Sequence, residues 1–195
     1  AGRGQRLQES SVKKYALSQQ IPVLQPISLR DEGFLAQLKA FQADVQVVVA
    51  FRMLPKVVWQ MPRKGTFNLH ASLLPDYRGA APINWAIIGG EATTGVTTFL
   101  IDEQIDTGAI LLRKEVAIAP RETAGTLHDK LMTVGADLVV ETLALIASDK
   151  AVPQSQPKQV VEKSAPKIHK ETSHIPWEQS LAQIDKFVRG MSPYP

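Results

Sequence analysis

The sequence predicts an α/β fold with a largely parallel sheet and flanking helices. Segments with the composition of β-strands alternate along the chain with amphipathic segments of helical period. The apolar run over residues 45–51 is nearly continuous and rich in valine, which is typical of a parallel strand covered on both faces. With 195 residues, 44% of them hydrophobic, the chain is long enough to bury a sizeable core.

The N-terminal part is predicted to hold two helices. Ser10 or Ser11 can cap a helix over residues 12–20, and Asp31 can cap a second helix over residues 31–43. Between them, residues 22–25 form a short strand candidate bounded by prolines. The strong strand over residues 45–51 follows.

The middle of the chain alternates strands and helices. We expect strands over residues 66–70, 94–101 and 110–118, and short helices over residues 57–61 and 82–88. Gly89 and Gly90 are placed to end the second of these helices. A long amphipathic helix is expected over residues 123–148, with Leu127, Leu131, Val134, Leu138 and Leu145 on one stripe.

Composition changes after Asp149. Residues 151–176 are rich in Pro, Lys, Gln and Ser without helical period, which indicates a linker, with one edge strand over residues 159–162. Pro176 can begin a helix over residues 177–190, with Leu181, Ile184 and Val188 facing inward. We therefore place one domain over residues 1–150, and the linker and the start of a C-terminal region over residues 151–195.

Several classes of site are excluded by the composition. The chain has no cysteine, so it has neither a disulfide framework nor a cysteine nucleophile. Neither a phosphate-binding GxxxxGK[ST] loop nor a GxSxG elbow is present. The histidines lack the spacing of a metal site, so no metal is expected. No apolar stretch approaches the about 20 residues of a membrane span.

Charge along the chain is uneven. Residues 1–30 and 45–75 carry an excess of Lys and Arg, whereas residues 91–108 carry only acids. This pattern suits a polyanionic partner, but with a net charge of only +3 an ordinary solvated surface explains it as well.

Chemistry is concentrated in residues 67–108. Asn68 and His70 are two residues apart on a predicted strand, so both side chains face the same side. Asp106 lies in a loop at the end of another strand, and strand ends of an open α/β sheet meet at ligand sites. An amide that stabilises an oxyanion, beside an imidazole and a carboxylate that handle protons, suits acyl transfer to an amine. Taken singly, His70 or Asp106 is also consistent with a role without chemistry. The segment would then be a turn-rich strand end whose histidine is hydrogen-bonded to its neighbours.

Two segments closely resemble the formyltransferase family that uses 10-formyltetrahydrofolate. They are NLHASLLPDYRGAAPINWAI and, after it, GVTTFLIDEQIDTGAILL. The RGAAP extension resembles the branch that formylates methionyl-tRNA. The opening AGRGQRL resembles that branch's basic tRNA-binding loop, and the closing IPWEQSLAQIDKFVRGMSPYP also follows its pattern, so the resemblance covers almost the whole chain. A Rossmann-like fold is implied, with a first strand expected before Ala1 and a C-terminal barrel domain after Pro195.

The resemblance also implies roles for individual residues. Asn68, His70 and Asp106 fall on the family's catalytic positions, and Arg3 and Arg6 fall on its tRNA-binding loop. The folate-binding loop corresponds to Ser72, Leu73, Leu74 and Pro75. The implied reaction transfers a formyl group from 10-formyltetrahydrofolate to the amino group of initiator methionyl-tRNA.

Alternatives remain open at this point. They are another formyl-folate enzyme, such as a glycinamide ribonucleotide formyltransferase or a formyltetrahydrofolate hydrolase, and a non-catalytic tRNA-binding module. The intact Asn68, His70 and Asp106 argue against the latter. We expect a monomer without a membrane partner, located in the cytoplasm or, in a eukaryote, in an organellar matrix.

Overall fold

The computed structural model describes residues 9–50, 53–157 and 163–194. It divides into two compact units, Ala1–Gln42 and Ala43–Pro195. The first unit contains two helices, α1 (Ser11–Ser18) and α2 (Glu32–Ala40). The predicted helices and both predicted caps are confirmed.

The caps act through side-chain oxygens. Ser10 accepts a hydrogen bond from the backbone N–H of Lys13, and Asp31 accepts one from Phe34. The strand predicted over residues 22–25 is wrong. Its flanking prolines lack an N–H donor, and the segment pairs with no strand in the part of the chain that the structure describes.

The second unit is built around a mixed sheet. Its strands lie in the order β1 (Gln46–Val49), β2 (Thr66–His70), β4 (Thr93–Leu100) and β5 (Ile110–Ala117). A separate pair joins β3 (Arg78–Gly79) to β6 (Ser164–Ala165) in parallel.

The α/β class is confirmed, but the expectation of a largely parallel sheet is wrong for the described strands. Only β1 and β2 run parallel in the four-stranded sheet, whereas β4 is antiparallel to both β2 and β5. The connection between β4 and β5 holds only residues 101–109, which is too short for the crossover that a parallel pair needs.

Strand β1 is less covered than its composition predicts. Val47 is 39% exposed and Val49 57% exposed, so one face of the strand is open. The strand lies at the end of the described sheet and pairs with β2 alone there. The valine-rich run therefore predicted the strand correctly, but it did not predict that one face of the strand is exposed.

In its described residues the second unit also has four α-helices, α3 (Lys56–Trp59), α4 (Pro82–Gly89), α5 (Ala124–Ala147) and α6 (Leu181–Gly190), and a short 3₁₀ helix (Glu171–Ser173). Helix α5 begins with a capping box at Thr123 and packs on β4 and β5. Helix α4 packs against α5 and α6 and is capped at its C-terminus by Gly90, which has a φ of 73°. The main core comprises Ile87, Val96, Val116, Leu127, Leu131 and Leu138.

The start of α6 differs from the prediction. Ser180 and Gln183 form a capping box, so the helix begins at Leu181 rather than after Pro176. Leu181 is 86% exposed and Val188 is also exposed, so the predicted inward stripe is wrong at these positions, whereas Ile184 is partly buried. The helix packs instead through Gly190, whose carbonyl accepts a hydrogen bond from Asn84 of α4. The strand predicted over residues 159–162 lies outside the described residues.

Candidate active site

Strand β2 supplies two buried polar side chains to the same face of the sheet. Asn68 and His70 are each 6% exposed. Leu69, between them, faces the other way, and its side chain contacts Gly135 of α5. Asn68 and His70 therefore lie on the face opposite α5, where their β4 neighbours are Phe99 and Thr97.

His70 is held at one ring nitrogen and open at the other. Nε2 lies 2.8 Å from the carbonyl oxygen of Tyr77, and because a carbonyl only accepts, Nε2 carries the proton that it donates. Nδ1 lies 3.8 Å from Oδ2 of Asp106. In neutral His70, Nδ1 is thus an unprotonated base, and its protonation creates an ion pair with Asp106. This geometry suits the transfer of one proton through Nδ1.

Asp106 is fixed by its backbone and by one strong contact. Its φ is 56°, in the left-handed region, and its Oδ2 accepts a 2.9 Å hydrogen bond from the backbone N–H of Gly79. Gly79 has a φ of 126°, and a Cβ there would lie 2.3 Å from the carbonyl oxygen of Ala165. Glycine is therefore required for the close approach that brings this donor to the carboxylate.

The oxygen of the Asn68 amide is buried without a hydrogen bond. This atom, Oδ1, is inaccessible to solvent and has no partner within the residues that the structure describes. An unsatisfied buried polar group costs about 1–3 kcal/mol of stability. Buried amide oxygens are nearly always paired, so this exception beside His70 and Asp106 distinguishes Asn68 from an ordinary structural amide.

The loop over residues 72–75 packs against β4 and β5. Ser72 and Leu74 are fully buried, and Leu74 shares a small core with Phe99 and Ile110. Thr97 Oγ1 donates to the Ser72 carbonyl at 2.6 Å and accepts from the Leu74 N–H at 3.1 Å.

Arg113 completes the anchoring of this loop, because its Nη1 donates to the Leu74 carbonyl at 3.0 Å. The backbone of the loop is therefore rigidly placed beside the Asn68 and His70 face. Leu73 and Pro75 are partly exposed, so their side chains, rather than those of Ser72 and Leu74, are accessible to a ligand.

Tyr77 positions His70 and is itself held by a charged network. Its hydroxyl donates to Glu91 at 2.6 Å, and Lys163 pairs with Glu91 at 2.8 Å. Burial and the contact with Glu91 raise the pKa of the Tyr77 hydroxyl above its ordinary value, so it stays protonated. Burial pushes the pKa of Glu91 upward, but the hydrogen bonds from Lys163 and Tyr77 outweigh it and lower this pKa.

Sequence reasoning placed Asn68, His70 and Asp106 together, and the structure brings them to one face. It did not identify Thr97, Arg113 or the Tyr77 carbonyl, whose roles depend on contacts between different elements of the fold. No sequence signal marks such a contact. Arg3 and Arg6 lie outside the described residues.

Over residues 9–50, 53–157 and 163–194, no three His, Cys, Asp or Glu side chains are grouped so as to hold a metal ion. In the same ranges, no helix combines the length and apolar character needed to cross a membrane.

Family comparisons cover most of the chain. The model of the family described as formyl transferase matches residues 1–143, and that of the formyl transferase C-terminal domain matches residues 167–195. The methionyl-tRNA formyltransferase of Flavobacterium johnsoniae is 57% identical over 195 residues, which are 100% of this chain and 62% of that protein. The enzyme of the same name from Parabacteroides distasonis is 57% identical over 98% of this chain and 60% of its own length. The chain thus spans about three fifths of these relatives.

Solved structures share the fold at lower identity. HypX from Aquifex aeolicus in complex with tetrahydrofolic acid has a TM-score of 0.69 and 22% identity, over 83% of this chain and 28% of that one. WlaRD, a sugar 3N-formyl transferase solved in the presence of dTDP and 5-N-formyl-THF, has a TM-score of 0.70 and 21% identity, over 92% of this chain and 62% of that one. The Rossmann-like fold is confirmed.

Proposed function

Because this chain belongs to the formyl transferase family, we propose that its protein transfers a formyl group from 10-formyltetrahydrofolate to the amino group of initiator methionyl-tRNA. The product primes translation. One observation carries the proposal: Asn68, whose amide oxygen is buried without a partner among the described residues, lies on the face that also presents the His70–Asp106 pair. Relatives at 52–57% identity named methionyl-tRNA formyltransferase favour this acceptor over glycinamide ribonucleotide or water.

Asn68, His70 and Asp106 have separate roles in the proposed reaction. The α-amino nitrogen of methionyl-tRNA attacks the formyl carbon and forms the new C–N bond, and the carbonyl oxygen becomes an oxyanion. The amide of Asn68 donates to that oxyanion. Collapse of the intermediate breaks the bond between the formyl carbon and N10 of the folate. The proton lost by the amine passes through His70 and Asp106 to N10 as it departs.

The hydrogen bonds of His70 refine its role. Since Nε2–H is engaged by the Tyr77 carbonyl, only Nδ1 exchanges a proton without breaking that contact. Once protonated at Nδ1, the ring adds positive charge beside the oxyanion, and Asp106 stabilises that charge. Asn68 then remains the principal hydrogen-bond donor to the oxyanion.

We place the folate in a cleft between the 68–75 segment and the 102–108 loop. The contacts of Ser72, Leu73, Leu74 and Pro75 to the pterin are expected mainly through backbone groups, because Ser72 and Leu74 have no exposed side-chain surface. The anchoring of this loop by Thr97 and Arg113 supports a preformed site.

Arg3 and Arg6 are proposed to contact phosphates of the tRNA. Each lost phosphate contact reduces the slope of log affinity against log salt by about 0.7–0.9. Arg3→Ala in the full-length protein should therefore weaken tRNA binding and flatten its salt dependence, with folate affinity unchanged. A salt titration of tRNA binding, beside a folate titration, measures both. An unchanged slope contradicts the phosphate contact.

The acceptor is tested with the full-length protein and 10-formyltetrahydrofolate. Methionyl-tRNA, glycinamide ribonucleotide and water are offered separately, and formyl product is measured for each. We expect formyl-methionyl-tRNA as the main product. Faster formylation of glycinamide ribonucleotide, or folate hydrolysis that methionyl-tRNA does not affect, contradicts the proposal.

A further inference from the structure

Gln156 lies in the linker after α5, and its side-chain amide reaches into the site. The residue is 9% exposed. Its Nε2 donates to the carbonyl of Asp106 at 3.0 Å and to that of Gly108 at 2.8 Å. Its Oε1 accepts from Arg78 through Nε, at 3.2 Å, and Nη2. One side chain therefore joins the 106–108 loop to the start of β3.

These contacts require an amide in one orientation. The two carbonyls only accept and the guanidinium only donates, so the amide nitrogen must face the loop and the amide oxygen must face Arg78. A carboxylate of the same shape retains the acceptor for Arg78 but has no donor for either carbonyl. Glutamine at position 156 is thus matched to its three partners by its donors and acceptor.

The contacts also form a closed ring around Asp106. Gln156 holds the Asp106 carbonyl and is oriented by Arg78, while Gly79, the next residue, donates to the Asp106 carboxylate. Asp106 has a left-handed φ of 56°, which a non-glycine residue keeps only where its surroundings impose it. Gln156 restrains the backbone of Asp106 and Gly79 restrains its side chain, so this ring of contacts imposes the left-handed conformation.

We propose that Gln156 is a positioning residue that holds Asp106 against His70 for the proton transfer. The role rests on the proposed function, since it acts through Asp106 and not on the substrate itself. Part of the active-site geometry therefore depends on the linker, whose strand β6 also pairs with β3, the strand that contains Arg78 and Gly79.

The test compares Gln156→Glu with Gln154→Glu in the full-length protein. Gln154 undergoes the same change two residues away, but its side chain is exposed and its hydrogen bonds to Ile110 use only the backbone. We expect Gln156→Glu to lower kcat by about 10–100-fold, because small displacements of a reacting group cost about that much. KM for methionyl-tRNA should change by less than about threefold. Gln154→Glu should match wild type.

A double mutant separates positioning from general damage. If Gln156 acts through Asp106, Gln156→Glu should lower single-turnover rates by less than about threefold when added to Asp106→Asn. A purely structural defect lowers both backgrounds equally. An unchanged kcat in Gln156→Glu, or full additivity with Asp106→Asn, overturns the inference.

A measurement without turnover keeps the contact testable if the proposed acceptor is wrong. Hydrogen exchange of the backbone amides over residues 103–109 should be roughly tenfold faster in Gln156→Glu than in wild type, as expected for a loop that loses its hydrogen bonds. Gln154→Glu should not change it. Absence of formyl transfer in wild type refutes the function alone, whereas unchanged exchange refutes the hold of Gln156 on the loop.

Discussion

Strand β2 and the linker after α5 each supply one buried amide to the site, and the two amides differ in their hydrogen bonds. Asn68 of β2 has an inaccessible oxygen without a partner among the described residues. Gln156 of the linker makes hydrogen bonds at both its oxygen and its nitrogen. A satisfied buried amide stabilises a structure, whereas a buried amide oxygen without a partner lowers its stability. The comparison therefore separates a group proposed for chemistry from one proposed for positioning.

The largest effect is expected where the two regions meet, at Asp106. Asp106→Asn keeps an acceptor for the Gly79 N–H but removes the charge that faces His70. In the full-length protein, kcat should fall by roughly 10,000-fold, as when the aspartate of a Ser-His-Asp triad is changed to an amide. Steady-state or single-turnover formylation measures it. A rate near wild type contradicts a proton-transfer role for Asp106.

Asn68 should affect activity without supporting stability. Asn68→Ala removes the proposed oxyanion donor, and kcat should fall about 100-fold, equivalent to about 2.7 kcal/mol in the transition state. Asn68→Leu, which has the same branched shape, should leave the free energy of unfolding unchanged or raise it, because it removes a buried amide oxygen without a partner. Urea unfolding of this variant beside wild type measures the second effect. Marked destabilisation there contradicts an unpaired amide.

Gln156 should behave in the opposite way on stability. Gln156→Met removes the donors to the carbonyls of Asp106 and Gly108 and the acceptor for Arg78. The free energy of unfolding should fall by about 2–4 kcal/mol, from buried groups left without partners. Urea unfolding, with exposed Gln154→Met as the matched control, checks this. Equal stability of the two variants removes the contrast with Asn68.

The smallest effect is expected at Glu91, which holds Tyr77 and Lys163. Its pKa is lowered from 4.5 in the folded protein, so the stability it contributes is present above pH 4.5 and is lost as pH falls through the lower folded value. Glu91→Gln should lower Tm by about 2 °C at pH 7. The difference from wild type should shrink below pH 4.5. Thermal unfolding across pH 3–7 measures it, and a constant difference contradicts the linkage.

Much of the fold was predictable because its signals are local. The caps at Ser10 and Asp31, the glycines after α4 and the period of α5 define helix boundaries through contacts within a few residues. The predicted start of α6 was wrong. A proline in the first turn and a capping box are competing signals for a helix start, and the box of Ser180 and Gln183 satisfies more backbone groups. The cover of β1 was not predictable, because it depends on which strands lie beside it.

By itself, the sequence determined the α/β class, most of the elements, the common face of Asn68 and His70, and the resemblance to the formyl transferase family. These follow from periodicity, capping and long local motifs. Only the tertiary structure decided the strand directions, the left-handed turn that brings Asp106 to His70, and the hold of Gln156 on that turn. These depend on hydrogen bonds between groups as far apart in sequence as Arg78 and Gln156. Such hydrogen-bonded pairs form only when the chain folds, and no local sequence pattern encodes them.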